Sequence, residues 1–299
     1  MRSIPFVSID NEQKGCEKML VNMVPILKDA QSKGYGVAAP NIFDGYTIEA
    51  AFKCAETLHA PMILDVNGEL DKLKYMAELT NFFSVKYDRV PVALNLDHGQ
   101  NYENIMCALH AGFTSVMIDK SSESFEENVR QTKEVVEAAH AVGVSVEAEL
   151  GHVGKGLQYE TDGSENLTTP EDVAEFVEKT KVDALAVAVG TAHGHYIGEP
   201  HIDFERLKEI RAVSNIPLVL HGGSSTGDEN LRKAVSYGIG KINIGTDLGD
   251  AGLAQLKAFL TDYDPHKRGV IEDAFKAAAE GFENKLKHYM EILGERNRW

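Results

Sequence analysis

Three histidines each stand at the end of a short hydrophobic run, and they are the strongest chemical signal in the chain. His98 ends VPVALNLDH, His193 follows DALAVAVGTA, and His221 ends IPLVLH. Such short, branched runs are typical of buried parallel strands. Three neutral imidazoles with an open fourth position form the ligand set of a catalytic zinc, so the pattern predicts a metal centre. The plainer alternative is that each histidine only caps its strand.

The elements that must position these residues alternate along the chain. Eight strand-like runs are predicted at 36–42, 61–66, 91–96, 114–119, 144–150, 184–190, 217–221 and 241–245. Amphipathic helical stretches lie between them, among them 48–59, 125–143, 168–180 and 225–238. This alternation predicts an α/β protein with a (β/α)8 TIM barrel. All strand C-termini of such a barrel lie on one face, where the three histidines would meet.

Length and composition agree with one barrel domain spanning residues 1–299. We expect an N-terminal helical segment at 1–30 and a C-terminal helical extension at about 265–299. A net charge of -16 argues against nucleic acid or anionic membrane as a partner. Three scattered cysteines form no disulfide framework, and no signal-peptide or transmembrane stretch is found. A cytoplasmic enzyme is therefore the expectation.

Two glycine-rich segments predict a phosphate site. HGGSS at 221–225 follows the seventh strand, and NIGTD at 243–247 follows the eighth. The loops after these two strands are the usual phosphate site of this barrel, because glycine lets the backbone approach an anion and a helix N-terminus supplies free N–H groups. The alternative is that both segments are only tight strand–helix turns.

With these residues in view, the chain resembles the class II, metal-dependent ketose-bisphosphate aldolases, which include fructose-bisphosphate and tagatose-bisphosphate aldolases. The resemblance runs from about residue 30 to the C-terminus, and its motifs occur in the family order: LDHG, AGFTSVMIDKSS, VSVEAELG, GTAHG, PLVLHGGSS and KINIGTD. It implies reversible cleavage of a ketose phosphate or bisphosphate to dihydroxyacetone phosphate and an aldehyde, through a metal-stabilised enediolate, in carbohydrate metabolism such as glycolysis. It also implies a homodimer or homotetramer.

The resemblance assigns roles to individual residues. His98, His193 and His221 match zinc ligands, although cobalt, iron and nickel also accept imidazole. Glu149 matches a glutamate that can bind the metal in an alternative position, and Asp97 matches the acid/base that acts on the substrate hydroxyl. The substrate and phosphate contacts are matched by Asn41, Gly194, Gly222, Ser224, Asn243, Gly245 and Thr246. Backbone carbonyls near Gly194 and Gly222 correspond to a monovalent cation site for Na⁺ or K⁺.

The chain departs from the family in the loop that follows ELG. Lys155 replaces a glycine, and Gly156 and Leu157 stand where a pair of acids would begin. Glu160 and Asp162 come a few residues later and could replace the catalytic loop acid, and Glu160 is the candidate carried forward. Asp44 near the first strand would repel a second phosphate, and DVNGE at 65–69 lacks the usual serine. These departures predict an acceptor aldehyde other than glyceraldehyde 3-phosphate.

Three rival functions remain open on the sequence. A Schiff-base aldolase would use Lys120 or Lys241, the two lysines near strand ends, but does not explain three strand-end histidines. A metal-dependent hydrolase is suggested by the pair His193 and His195. Hydrolases of this fold usually carry such a pair on the first strand, whereas here it follows the sixth. A catalytically altered relative that acts as a partner or regulatory subunit is suggested by the changed acidic loop.

Overall fold

Eight parallel strands with helices between them form the body of the protein. The computed structural model describes residues 20–68, 70–158, 167–264, 266 and 271–299. The strands are β1 Val37–Pro40, β2 Met62–Asn67, β3 Val92–Gly99, β4 Ser115–Ile118, β5 Ser145–Leu150, β6 Ala184–Val187, β7 Leu218–Leu220 and β8 Ile239–Ile244. They are hydrogen-bonded in the order β1-β8-β7-β6-β5-β4-β3-β2.

The sheet curls until its two edges meet. Asn41 and Asp65 form an isolated parallel bridge just beyond β1, and the Ile42 N–H donates to the Asp65 carbonyl at 3.0 Å. The strands thus form a nearly closed barrel, which confirms the predicted TIM-barrel fold. The carboxyl ends of all eight strands lie at one end of the barrel.

Ten α-helices are assigned within the described residues. They are α1 Met23–Lys33, α2 Gly45–Leu58, α3 Leu70–Lys86, α4 Tyr102–Ala111, α5 Phe125–His140, α6 Pro170–Thr180, α7 Phe204–Val213, α8 Asp228–Ser236, α9 Thr246–Thr261 and α10 Ile271–Ile292. A short 3₁₀ turn covers Gly156–Gln158. No helix within these described ranges is both long and apolar enough to cross a bilayer.

Local capping chemistry explains where several helices begin. Thr169 caps α6, whose first residue is Pro170, as the sequence signature predicts. Asp44 and Thr47 form a capping box that starts α2 three residues before the predicted boundary. Helix α8 begins only at Asp228, because the preceding residues belong to the loop that leaves β7.

The barrel interior has an apolar floor beneath a polar layer. Helix α1 packs Met23, Leu27 and Ala30 against inward-facing strand residues, namely Val37, Ala39, Ile63, Ala93, Ala184, Ala186 and Val219. Above them the strands turn polar side chains inward, namely Asp65, Asn95, Glu147 and Lys241, all with no exposed surface. The apolar floor therefore closes one end of the barrel, and the chemistry lies toward the other.

The C-terminal helix α10 packs against α9 and α2 on the outside of the barrel. Glycine permits the close approach of α9 and α10, since a Cβ on Gly281 would lie 2.3 Å from the Ala251 carbonyl oxygen. This helix falls within the segment 265–299 that the sequence predicts to be helical.

Candidate functional site

Three imidazole rings converge at the carboxyl end of the barrel. The Nε2 atom of His98 lies 3.2 Å from Nε2 of His193 and 3.0 Å from Nδ1 of His221. Two tetrahedral ligands at zinc–nitrogen distances of about 2.0–2.1 Å are separated by roughly 3.3 Å. These two distances are close to that spacing, and all three nitrogens lie within 4.8 Å of one another, as a shared metal ion requires.

The outward nitrogens of these rings are held by the protein. His98 Nδ1 lies 2.8 Å from an Asp119 carboxylate oxygen, and His221 Nε2 lies 2.8 Å from a Glu147 carboxylate oxygen. His193 is hydrogen-bonded to the backbone of Val153. Metal-binding histidines almost always donate the second ring N–H to a carboxylate or carbonyl, which fixes tautomer and orientation.

A buried acceptor beside the three rings also fits a metal ion. Glu149 is almost fully buried, and its Oε2 atom has no hydrogen-bond partner in the structure. One oxygen each of Glu149 and Asp119 and one nitrogen of His98 lie within 4.8 Å of one another. An unpaired buried carboxylate oxygen is costly, so Glu149 is suited to bind a cation that the histidines share.

The local charges act differently on the three histidines. Burial lowers the pKa of His98, but the Asp97, Asp119 and Glu149 carboxylates outweigh it and raise that pKa to about 10. Burial and the neighbouring imidazoles lower the pKa of His193 to about 4. A ligating imidazole must be unprotonated, so metal binding to this cluster displaces a proton from His98.

Asp97 lies at the edge of the histidine cluster, with one oxygen 3.9 Å from His98 Nε2. Its two oxygens accept hydrogen bonds from the side-chain amides of Asn243 at 3.1 Å and Asn41 at 2.8 Å. Burial raises the pKa of Asp97, but His98, His221 and Lys241 together lower it to about 2. The Asp97 carboxylate is therefore ionised at neutral pH and oriented by two amides at the edge of the histidine cluster.

The backbone of His98 is itself unusual. Its φ is 51°, in the left-handed region that non-glycine residues rarely adopt, and the pairing of β3 with β4 is irregular between Leu96 and Gly99. Irregular pairing of this kind redirects side chains at strand ends. Here it lets the consecutive residues Asp97 and His98 both reach the pocket, which regular alternation along a strand would prevent.

The predicted phosphate residues line one cavity of about 430 Å³ together with the three histidines and Asp97. Its walls include Asn41, Gly194, Gly222, Ser224, Asn243, Gly245 and Thr246. Helix α9 begins at Thr246 after Gly245, which has no side chain to cap it, and the Asp247 N–H in its first turn donates to Ser224 Oγ at 3.2 Å. Backbone N–H groups at such a helix start can bind an anion directly.

Two glycines of the cavity wall have no room for a side chain. A Cβ on Gly222, whose φ is 69°, would lie 2.3 Å from the Ala192 carbonyl oxygen. A Cβ on Gly245 would lie 2.6 Å from the Asn41 side chain. Glycine is therefore required at both positions for the loops to approach each other and the substrate cavity.

The Gly222 carbonyl, near which the family resemblance implies a monovalent cation, is hydrogen-bonded within the protein. Its carbonyl oxygen already accepts hydrogen bonds from the hydroxyls of Thr226 at 2.8 Å and Tyr196 at 3.1 Å. A carbonyl oxygen has two lone pairs, so both are already engaged.

Several other candidate residues lie outside this cluster. His195 points away, with a side chain that is 61% exposed and 3.3 Å from Asp250, so it does not form a ligand pair with His193. Lys241 is fully buried between Asp65 and Glu147; burial lowers its pKa, but those carboxylates raise it above the usual range, so it is not a neutral nucleophile. Glu160 lies outside the described residues.

The segment that departs from the family pattern runs directly beside the metal position. The Gly156 N–H donates to the His193 carbonyl at 2.7 Å, and the His193 N–H donates to the Gly154 carbonyl at 2.8 Å. A Cβ on Gly156 would lie 2.3 Å from the His195 carbonyl oxygen. Glycine therefore stands at 156, where the family pattern has an acid, and it allows the backbone there to pair closely with the segment that carries His193.

The sequence analysis assigned no role to Glu147 or to Asp119. Glu147 and Glu149 are two residues apart in β5, and alternate residues of a strand face the same side. The EAE spacing was therefore the available signal that both acids face the interior.

Comparison with known proteins places the chain among aldolases. Residues 21–298 match the sequence model described as fructose-bisphosphate aldolase class-II. A fructose-bisphosphate aldolase of Thermus caldophilus is 40% identical, covering 94% of this chain and 100% of the relative, and one of Staphylococcus aureus (strain Mu50) is 38% identical over 90% and 97%. The crystal structure of the YdjI aldolase from Escherichia coli K12 superposes with a TM-score of 0.82 at 31% identity, covering 93% of this chain and 98% of that one.

Proposed function

This chain belongs to the class II fructose-bisphosphate aldolase family, and we propose that it is a zinc-dependent aldolase that reversibly cleaves a ketose phosphate to dihydroxyacetone phosphate and an aldehyde. The observation that carries this proposal is the convergence of His98, His193 and His221 within hydrogen-bonding distance, with the ionised Asp97 beside them.

His98, His193 and His221 would hold the metal ion, which would supply an electrophile for the substrate carbonyl and for the negative charge left when the carbon–carbon bond breaks. Three imidazoles favour zinc over the hard ions magnesium and calcium. Glu149, with its unpaired oxygen, is the proposed alternative ligand.

Asp97 is the proposed base that removes the proton from the hydroxyl next to the bond that breaks. Asn41 and Asn243 each donate to one of its oxygens, which fixes the direction of the remaining lone pairs. The Oδ1 atom of Asn243 has no partner in the structure and is free to accept from a substrate hydroxyl. In the reverse direction the same carboxyl group returns the proton to the new hydroxyl.

The phosphate of the dihydroxyacetone half is proposed to lie against Gly194, Gly222, Ser224, Gly245 and Thr246. These residues border the same cavity as the histidines, so one substrate can reach both. A substrate held at its phosphate presents its carbonyl to the metal position in one orientation, which lowers the entropic part of the barrier.

The acceptor half of the substrate is proposed to differ from glyceraldehyde 3-phosphate. Beyond the phosphate residues, the cavity is bordered by Phe43, Asn67, Asp250 and Leu253. No lysine or arginine is found among the described residues that line it, so this end offers no cation for a second phosphate. A ketose 1-phosphate with an uncharged aldehyde half fits these walls better than a bisphosphate.

The carboxylate that exchanges the proton at the carbon next to the carbonyl is proposed to be Glu160. The resemblance to the aldolase family supports this proposal, because Glu160 comes four residues after Gly156 in the loop that carries the family's acidic pair.

We further propose that the whole chain acts as one cytoplasmic aldolase domain in carbohydrate metabolism and assembles as a homodimer or homotetramer. Two exposed apolar side chains, Leu260 on α9 and Ile271 at the start of α10, support a subunit contact at these helices.

The direct test measures dihydroxyacetone phosphate released from a panel of ketose 1-phosphates and 1,6-bisphosphates, with and without a chelator. We expect release that stops with chelator and returns with zinc, and the best substrate to carry one phosphate. Turnover of fructose or tagatose bisphosphate alone would disprove the altered acceptor. No release by protein shown to hold its metal would instead support a catalytically altered partner subunit.

A further inference from the structure

A buried ion cluster lies directly beneath the proposed metal position. Lys241 Nζ is 2.9 Å from Glu147 Oε2 and 3.2 Å from Asp65 Oδ2, and none of the three side chains has exposed surface. Burying an ion pair in a barrel interior costs several kcal/mol per ion before the charges attract, so such a cluster is weak support for stability alone.

Glu147 connects this cluster to a proposed metal ligand. Its Oε2 accepts from Lys241, while its Oε1 lies 2.8 Å from His221 Nε2. Because Glu147 occupies the Nε2 side of the ring, Nδ1 is the nitrogen that faces His98 Nε2, at 3.0 Å. Among the three histidines, His221 alone turns Nδ1 to the centre.

The three charged residues are held by the barrel itself. Glu147 is in β5, Lys241 in β8 and Asp65 in β2, and all three side chains point into the interior. His221 directly follows the three-residue strand β7, so few backbone bonds fix its position. Its ring is completely buried, with no solvent to provide another acceptor for Nε2–H.

We propose that Glu147 is a positioning residue for the metal: it holds the His221 ring with Nδ1 toward the other two histidines, and Lys241 holds Glu147 in place. This inference rests on the metal site of the proposed function. Asp65 lies beside Lys241 and accepts a hydrogen bond from Asn95, but among the described residues no hydrogen bond joins it to His221, so it is part of the cluster without positioning a ligand.

The contrast between Glu147 and Asp65 supplies matched variants. Glu147→Gln and Asp65→Asn both replace a fully buried carboxylate beside Lys241 with an amide of the same shape. A glutamine has one acceptor oxygen for two donors, so either His221 or Lys241 loses its partner. The pKa of Asp65 is raised by burial to about 8, in spite of Lys241, so its neutral form is already tolerated.

The experiment measures zinc affinity by competition with a chromophoric chelator, alongside the thermal unfolding midpoint of each variant without metal. We expect Glu147→Gln to lose about 10- to 100-fold in zinc affinity, the range found when a residue that orients a metal ligand is changed. Asp65→Asn should stay within about threefold of the parent protein, even if both variants unfold at similarly lower temperatures. Equal zinc affinities for the two variants would overturn the proposal.

A second measurement uses the parent protein and needs no variant. Nitrogen-15 NMR of the zinc-bound parent protein with labelled histidine should show one metal-bound ring that carries its proton on Nε2, and two that carry it on Nδ1. Three rings of the same tautomer would overturn the proposal.

Both readouts are independent of catalysis. If the parent protein binds zinc but releases no dihydroxyacetone phosphate, the proposed reaction fails while the role of Glu147 can still be tested. If Glu147→Gln binds zinc as tightly as Asp65→Asn while the parent cleaves substrate, the role of Glu147 fails and the proposed function stands.

Discussion

His193 and His195 are two residues apart and have opposite surroundings. His193 is largely buried and its Nε2 faces His98, whereas the His195 side chain is 61% exposed and pairs with Asp250. Alternate residues of an extended segment share a side, but Gly194, with φ of 84°, breaks that alternation between them.

This difference leads to a paired prediction. His193→Ala should remove one of three proposed ligands, so the protein should lose its zinc on gel filtration and its chelator-sensitive activity together. His195→Ala should retain both its zinc and its activity, because the His195 ring is exposed and pairs with Asp250 instead of facing the other histidines. Metal content by atomic emission checks both variants, and zinc loss in His195→Ala but not in His193→Ala would favour a different ligand set.

The three central histidines could be predicted because each follows an apolar run that ends at the same barrel face. Asp97 was predictable for the same reason. The role of Glu147 was not, because an acid inside a β-branched run gives no sign of which ring it contacts. That contact joins β5 to the end of β7, which are 74 residues apart in the chain and come together only when the barrel closes.

At the scale of elements, the loops after β7 and β8 border the proposed phosphate site. Gly222 and Gly227 belong to the same loop and both have positive φ, 69° and 91°. A Cβ on Gly222 would meet the Ala192 backbone at 2.3 Å, while a Cβ on Gly227 would meet nothing within 4 Å. Alanine at 227 would therefore introduce backbone strain alone, whereas alanine at 222 would introduce backbone strain together with a steric clash.

Gly222→Ala should push the loop away from Ala192 and raise the KM for a ketose 1-phosphate by more than about tenfold, because backbone N–H groups then miss the phosphate. Gly227→Ala should lose about 1 kcal/mol of stability from its left-handed φ, with a KM close to that of the parent. Steady-state kinetics and thermal unfolding of both variants provide the check. Equal KM values would show that the Gly222 loop does not shape the phosphate site.

The strand ends predicted from the sequence agree with the structure only in part. Strand β3 runs to Gly99 rather than 96, because the bulge after Leu96 lets pairing resume beyond the polar residues. Strand β6 stops at Val187 rather than 190, because its pairing with β5 ends there, at Leu150 and Val187. Periodicity predicts that a strand exists, but its end depends on the length of its neighbour.

For the whole molecule, the sequence predicts the barrel well because eight separate strand–helix alternations all require it. The apolar layer inside the barrel is harder to predict from the sequence. The inward-facing alanines on β1, β3 and β6 are small, so they close this end of the barrel only when a helix packs against them. Helix α1 performs this role, and the C-terminal residues after α10 pack against β1 from the outside.

Glu295 ties that C-terminal segment to the barrel and gives a prediction for the stability of the whole chain. It is fully buried, one oxygen accepts from the Ala38 N–H at 2.6 Å, and the other has no partner in the structure. Burial raises its pKa well above the model-peptide value of 4.5. The folded protein therefore favours the protonated acid more strongly than the unfolded chain does.

The sign of the pH effect follows from this raised pKa. The favourable contribution of protonated Glu295 is complete below pH 4.5 and declines by about 1.4 kcal/mol per pH unit until the folded-state pKa is reached. Glu295→Gln keeps an acceptor for Ala38 and cannot ionise. Its free energy of unfolding relative to the parent should therefore rise from pH 5 to pH 7, by roughly 1–3 kcal/mol. Denaturant unfolding of both proteins at the two pH values measures the change, and a difference that is the same at both would mean that Glu295 titrates alike in the folded and unfolded states.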